Sequence, residues 1–268
     1  MTTRRVEHVM GMPVTLALRG RHTTDAVADQ AWVTVVDSLR QADRIFSTYR
    51  DDSDVSRINR GTLSLDDASP VVREVLALGA EAAVASGGAF DVWRIDAEGV
   101  TSLDPSGVVK GWAVDRAATR LRELDDTDFC LSAGGDMVCR TVVPGAGPWR
   151  IGLENPHDST QLLGLVPIAD GAVATSGTLH RGQHLVDART GRPPSGIASV
   201  TVVTSSLTWA DIDATAAYAH GMGAGSWLEG RPDRTALVVW QDGTTTAVRT
   251  PPEDRAARPP KYVLPRPR

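Results

Sequence analysis

Apolar and polar positions along the chain repeat with two periods, one typical of helices and one typical of strands. Apolar residues recur at helical spacing over residues 24–45, and Ser69-Pro70 begins a second helix that ends near Ala85. The β-branched run at residues 197–204 predicts a strand. The same criteria predict a strand-like stretch over residues 6–18 interrupted at Gly11 and Pro13, a helix over residues 110–124, and a helix from about Asp211 to Gly221.

Turn glycines predict two β-hairpins, one at residues 128–143 around Gly134-Gly135 and one at residues 237–248 across Asp242-Gly243. A two-residue turn at Gly134-Gly135 pairs positions whose numbers sum to 269, so Cys130 faces Cys139. These are the only two cysteines, and neither C-x-x-C nor Cys/His metal spacing occurs. We expect a pair of reduced thiols.

The mixture of helices and hairpins, without a repeating strand–helix unit, favours an α+β fold. With 268 residues, 41% of them apolar, the chain is long enough to bury a sizeable core. We expect one domain over residues 1–250. Residues 251–268 are rich in proline, arginine and charge, which predicts a mobile tail.

Charge and motif content exclude several functional classes. A net charge of −5, without a basic cluster, disfavours nucleic-acid binding. Residues 1–8 lack the apolar core of a signal peptide, and no apolar run is long enough to span a bilayer, so we expect a cytoplasmic protein without a lipid anchor. The P-loop, the dinucleotide G-x-G-x-x-G, the G-x-S-x-G elbow and the H-E-x-x-H helix are all missing.

Residues 210–216, Ala-Asp-Ile-Asp-Ala-Thr-Ala, are typical of the first turn of a helix. Asp211 and Thr215 are four residues apart, so their oxygens lie on one face beside a helix N-terminus that favours anions. Mg²⁺ takes few protein oxygens and completes its shell with water and phosphate. The pair therefore suits a metal-bound diphosphate, and helix capping is the alternative interpretation.

Several other short segments combine turn glycines with isolated polar residues, as expected where backbone approaches a ligand closely. Each of them alone is also explained as a turn or a cap, so their order along the chain carries more information. They lie at residues 46–59, 88–91, 107–115, 132–136, 175–177 and 184–191.

In this order the segments resemble the ApbE family, the FAD:protein FMN transferases, from about Met10 to residue 223. The family's S-x-Y and D-S-x-[IV]-S-x-[IL]-N patterns are similar to residues 47–59, its G-x-F-D to residues 88–91, and its K-G-[YW]-A-V-D to residues 110–115. Its remaining segments, G-G-D, T-S-G, H-[IL]-x-D-x-[RT]-T-G and A-D-x-x-[AS]-T-A, are similar to residues 134–136, 175–177, 184–191 and 210–216.

The resemblance implies a single α+β domain related to the T-fold, or tunnelling fold, with mixed or antiparallel sheets, helices and a cleft for FAD. It also implies Mg²⁺-dependent transfer of the FMN half of FAD onto a Thr or Ser hydroxyl of an acceptor protein, with release of AMP. The acceptor would carry a D-x-x-[ST]-G-A-[ST] type motif. A diphosphatase that releases FMN and AMP, and a non-catalytic flavin-binding protein, are the alternatives.

Matching the family's motifs position by position implies the residues of the site. Lys110 and Asp211 would be catalytic, with Lys110 placing positive charge on the diphosphate. Asp211, Thr215 and the carbonyl of Gly107 would hold the metal, with a backbone or water-mediated contact from Ala214. The residues that would contact the flavin nucleotide are Met10, Tyr49, Ala89, Phe90, Asp91, Asp104, Lys110, His184 and Leu185.

The chain departs from the family pattern at two positions near these residues. Val92-Trp93 follows Asp91 where a Pro-Thr pair is usual, so we expect a different local turn and pocket wall. Ala188 stands where proline is common, which removes a rigid φ constraint.

Overall fold

An eight-stranded antiparallel sheet lies at the centre of the structure, a computed structural model that describes residues 2–95, 99–179 and 185–252. In chain order the strands are β1 (Thr3–Val9), β2 (Met12–Gly20), β3 (Trp93–Ile95), β4 (Thr101–Leu103), β5 (Thr127–Ala133), β6 (Asp136–Arg140), β7 (Trp149–Asn155), β8 (Asp158–Ile168), β9 (Asp170–Gly177), β10 (Ile197–Thr204), β11 (Thr235–Trp240) and β12 (Thr245–Arg249). The spatial order in the large sheet is β1-β2-β5-β6-β9-β10-β11-β12, and β3–β4 and β7–β8 form two separate hairpins.

The helices pack against this sheet and against one another. They are α1 (Ala26–Phe46), α2 (Asp54–Asn59), α3 (Pro70–Ala85), α4 (Ser106–Leu121), α5 (Leu207–Ala219) and α6 (Ala224–Glu229). Helix α5 lies on β9 and β10, α4 packs against α5, and α1 packs against α4. Because α5 is buried on nearly every side, it shows almost no amphipathic pattern: even its Asp211 and Asp213 are at most 2% exposed.

The predicted α+β class is confirmed, and so are several elements. Helices α1 and α3, strand β10 and both glycine hairpins occur where the pattern places them. Cys130 faces Cys139 in the β5–β6 register, with 3.5 Å between the two Sγ atoms, and both thiols are free and buried. The apolar β7–β8 hairpin covers them, packing Ile151 and Ile168 against this face of the sheet.

Three predicted boundaries were wrong. Residues 6–18 form not one interrupted strand but the β1–β2 hairpin, which turns at Met10 and Gly11 with φ angles of 55° and 71°. Helix α4 begins at Ser106, so Lys110 lies inside it rather than at its start. Helix α5 begins at Leu207, where Ser206 is the N-cap, so Asp211 follows the first turn instead of belonging to it.

Some predictions fall outside the described part of the chain. They include His184 and all of the proline- and arginine-rich tail except Pro251 and Pro252. Within the residues that are described, none of the helices has the length and apolar character needed to cross a membrane.

Candidate functional site

Lys110 lies at the centre of a buried charge cluster formed by α4, α5 and β6. Its Nζ atom is 3.1 Å from Oδ1 of Asp211 and also pairs with Oδ2 of Asp136. The Lys110 side chain is 20% exposed and the two carboxylates are at most 3% exposed. Backbone amides complete the cluster: Gly111 donates to Asp211 Oδ2 at 3.1 Å, and Thr175 donates to Asp136 Oδ1 at 3.0 Å.

Local backbone geometry brings these groups together. Gly134 and Gly135 take positive φ angles of 59° and 98°, so β5 reverses tightly and Asp136 becomes the first residue of β6. Gly111 allows α4 to approach α5 closely, because a Cβ atom there would lie 2.6 Å from the carbonyl oxygen of Leu207. The approach brings the amide of Gly111 within hydrogen-bond distance of Asp211.

The cluster holds two carboxylates against one ammonium group. Burial alone would lower the pKa of Lys110, but the charges of Asp211 and Asp136 outweigh it and raise that pKa above its ordinary value. Burial raises the pKa of Asp211 to about 7, and the like charge of Asp136 adds to the rise while Lys110 and the Gly111 amide oppose it. Lys110 is therefore held protonated. A further positive charge beside Asp211 would stabilise the ionised form of its carboxylate.

The residues implied as metal ligands supply oxygen donors near Asp211. Thr215 Oγ1 lies 3.0 Å from Ser176 Oγ on β9. The Gly111 amide that donates to Asp211 faces, in an α-helix, the carbonyl of Gly107 four residues earlier. Carboxylate, hydroxyl and carbonyl oxygens beside a surplus negative charge are the donors that a hard cation prefers. These residues therefore fit Mg²⁺.

Two further observations limit that donor set. The side chain of Ala214 is fully buried in an apolar cluster, so only its backbone could take part. Among the described residues, no three or more His, Cys, Asp or Glu side chains are grouped so that they could hold a metal ion. Asp211 would thus act together with hydroxyl and backbone oxygens.

The segment Ala89-Phe90-Asp91 contacts both the first turn of α4 and the loop that follows Leu185. The carbonyl of Ala89 accepts a 3.0 Å hydrogen bond from the amide of Ala188. The Phe90 ring covers Gly107, where an added Cβ atom would lie 2.7 Å from the ring. Asp91 is exposed, and its Oδ1 accepts the amide of Trp93 at 2.9 Å, so it caps the turn that leads into β3.

The remaining residues implied as flavin contacts lie on separate segments. Met10 is at the β1–β2 turn and packs partly against the main core. Tyr49 is 97% exposed, so both ring faces are open to a ligand. Asp104 pairs with Arg94 at 2.8 Å just before α4. Within the described residues, no hydrogen bond or ion pair joins these three side chains to Lys110 or Asp211.

Leu185 packs against the apolar cluster that also contains Ala214, beyond the charge cluster. His184 lies outside the described residues. The end of α5 borders a cavity of about 260 Å³ lined in part by Asp187, Arg192 and His220. The His220 ring stacks on Trp227 with 5.3 Å between ring centroids.

Sequence reasoning did not assign a role to Asp136, Gly111, Thr175 or Ser176. All four lie in segments that the glycine and polar pattern singles out, so the signal for their neighbourhood was present. The sequence does not show that Asp136 contacts Lys110, because the two residues meet only once β6 and α4 have packed together.

Comparison with known proteins identifies the family and the fold of the chain. The model of the ApbE family matches residues 10–96 and 93–239. The FAD:protein FMN transferase of Vibrio cholerae is 32% identical over 119 residues, which are 41% of this chain and 36% of that protein. The protein of the same name from Rhodobacter capsulatus is 32% identical over 123 residues, which are 42% of this chain and 23% of that protein. These matches thus span well under half the length of either relative.

Solved structures share the fold over nearly the whole chain. The flavinyl transferase ApbE of Pseudomonas stutzeri, in its apo form, superposes with a TM-score of 0.78 at 26% identity, covering 92% of this chain and 94% of that one. The flavin transferase ApbE of Vibrio cholerae has a TM-score of 0.77 at 22% identity, covering 93% and 97%. Because the family model covers most of the chain, this protein belongs to the ApbE family.

Proposed function

We propose that this protein is an Mg²⁺-dependent FAD:protein FMN transferase, which moves the FMN half of FAD onto a Ser or Thr hydroxyl of an acceptor protein and releases AMP. The observation that carries the proposal is the position of Lys110, held protonated between Asp136 and Asp211 where two family segments meet. The names of the matched relatives are consistent with this activity.

In the proposed reaction, the acceptor oxygen forms a bond to the FMN phosphorus, and the bond from that phosphorus to the bridging oxygen of AMP breaks. The hydroxyl proton leaves to solvent or to a base, and a loose transition state needs little help from a base. Lys110 faces the diphosphate and stabilises the negative charge that develops on the bridging oxygen. It is preorganised for this because both carboxylates already fix its ammonium group.

Asp211, Thr215 and the carbonyl of Gly107 would hold Mg²⁺, which supplies a Lewis acid for the phosphate oxygens. The exposed Tyr49 ring offers a stacking face for an aromatic part of FAD. Asp104 and the 89–91 segment, both next to the start of α4, would position the nucleotide. The acceptor is proposed to present its hydroxyl in a D-x-x-[ST]-G-A-[ST] type motif.

The test is incubation with FAD, Mg²⁺ and an acceptor domain that carries this motif. A fluorescent acceptor band on a denaturing gel supports transfer, free FMN and AMP indicate a diphosphatase, and unchanged FAD indicates binding alone. We expect Asp211→Asn to lower the transfer rate at least about a hundredfold, as when one transition-state contact is removed.

Asp213→Asn is the matched control for this substitution. Asp213 is a buried carboxylate of the same helix, but it faces Arg231 and Arg234 rather than Lys110. We expect the folded fraction of the Asp213→Asn variant to transfer FMN at nearly the wild-type rate. Near-normal transfer by Asp211→Asn in Mg²⁺ would contradict the assignment of Asp211.

A further inference from the structure

Asp115 joins α4 to the first turn of α5 through four hydrogen bonds. Its Oδ1 accepts the amide of Leu207 at 3.0 Å, and its Oδ2 accepts the amide and the hydroxyl of Thr208 at 2.7 and 2.8 Å. Oδ2 also accepts the hydroxyl of Ser206 at 2.7 Å. The first amides of a helix have no partner within it, so this carboxylate from α4 caps α5.

The same two helices carry the catalytic pair. Lys110 lies five residues before Asp115 on α4, and Asp211 lies four residues after Leu207 on α5. The helices therefore run antiparallel and contact each other at two levels. At 1.5 Å per residue, these two levels are about 6–8 Å apart along the helix axes. One level is the Asp115 cap and the other is the charge cluster of Lys110 and Asp211.

Asp115 adds directional contacts to a pair of helices that packs closely at Gly111. Gly111 has no side chain, and it faces the backbone of Leu207 and Thr208 as well as Asp211 Cβ. Glycine permits this close approach but contributes no side chain of its own to the ridges that interlock packed helices. Four hydrogen bonds to one carboxylate, with donors from three successive residues, resist sliding of one helix along the other.

We propose that Asp115 is a positioning residue that sets the axial register of α5 on α4 and thereby places Asp211 against Lys110. The inference rests on the proposed function only for its effect on rate. Its structural consequence is independent: without the carboxylate, the first turn of α5 shifts and the hydrogen bond from Gly111 to Asp211 weakens.

The test compares Asp115→Asn with Asp128→Asn. Asp128 is the control because, like Asp115, it is a carboxylate that accepts two backbone amides, here those of Val142 and Val143; it is buried, whereas Asp115 is half-buried. It pairs with Arg19, at the end of the β5–β6 hairpin away from Asp136. Five residues of strand separate the two ends, about 17 Å.

Both substitutions should lower the melting temperature, so activity is measured well below either melting temperature. We expect Asp115→Asn to lower kcat at least tenfold with less than a threefold change in the KM for FAD, while Asp128→Asn keeps kcat within twofold. Hydrogen exchange of the Gly111 amide, measured without FAD or metal, should speed up at least tenfold in Asp115→Asn alone.

Thr208→Val removes one of the four donors and keeps the backbone amides, so it serves if Asp115→Asn does not fold. We expect changes in the same direction but smaller. Equal losses of kcat in Asp115→Asn and Asp128→Asn, or wild-type exchange at Gly111 in the Asp115 or Thr208 variant, would overturn the inference. If the wild-type protein transfers no FMN, the proposed function fails. The hydrogen-exchange measurement still tests whether Asp115 sets the axial register of α5 on α4.

Discussion

Replacing Gly111 by alanine tests how closely α4 and α5 must pack. A Cβ atom at this position would lie 2.6 Å from the carbonyl oxygen of Leu207, 3.0 Å from Cβ of Asp211 and 3.0 Å from Cα of Thr208. Ordinary contacts begin at 3.4 Å. The closest atoms belong to the backbone of α5, so no side-chain rotation relieves the contact and the helices must separate.

Two opposing effects determine the change in the free energy of unfolding. Alanine in a helix is favoured over glycine by about 0.5–1 kcal/mol. Overpacking of a close interface costs about 1–3 kcal/mol. We therefore expect Gly111→Ala to destabilise the protein by up to about 2.5 kcal/mol. For a domain of this size, each kcal/mol corresponds to roughly 2–4 °C of melting temperature.

Gly225→Ala is the matched control, because Gly225 is also helical but its added Cβ would make only a 3.7 Å contact with Thr246. In urea unfolding, the two variants should change the free energy of unfolding in opposite directions. Gly225→Ala should be more stable than wild type by at most about 1 kcal/mol. Separation of the helices also moves Asp211 away from Lys110, so transfer by folded Gly111→Ala should fall at least about tenfold. A Gly111→Ala variant that is stabilised and fully active would refute the close-packing argument.

Two further predictions concern stability and the thiols. Burial and the Arg189 charge lower the pKa of His220 below 6.5, against the opposing effects of Ser86 and Asp187, so the unfolded chain takes up a proton at pH values where the folded protein does not. The stability that this group contributes is therefore lost as the pH falls below 6.5, by at most about 1.4 kcal/mol per pH unit. Chemical unfolding between pH 5 and 8 should show that the free energy of unfolding depends less on pH in His220→Gln than in wild type. Parallel pH profiles of the two proteins would contradict this. Protein prepared without reductant and then unfolded should release two titratable thiols per chain, from Cys130 and Cys139, whereas fewer than two would indicate oxidation of the pair.

The sequence predicted elements well where one local pattern decides them. Periodicity located α1, Ser69-Pro70 located the start of α3, and the glycine turn set the β5–β6 register that brings the cysteines together. The start of α5 was misplaced because it does not depend on local signals alone. The first turn of α5 is held by Ser206 together with Asp115, which lies 91 residues earlier than Ser206 in the chain.

The β7–β8 hairpin and β9 were not predicted. For the hairpin the signal was present, because residues 149–154 alternate between apolar and polar positions and Asn155-Pro156 marks a turn. Strand β9 shows no such alternation. Strand β9 is nearly continuous in buried small residues, with neighbours on both sides and α5 above it. Such a segment becomes a strand because of what surrounds it, and its own residues do not show the period.

The sequence by itself determined the fold class, the ordered segments that resemble one family, and the candidate pair Lys110 and Asp211. Only the tertiary structure decided that Lys110 is shared between Asp211 and Asp136, that Gly111 brings the two helices into contact, and that Asp115 caps α5 from α4. The physical reason is range. Helical and strand periods act over a few residues, whereas hydrogen bonds and charges act between whatever groups the packed chain brings within a few ångströms.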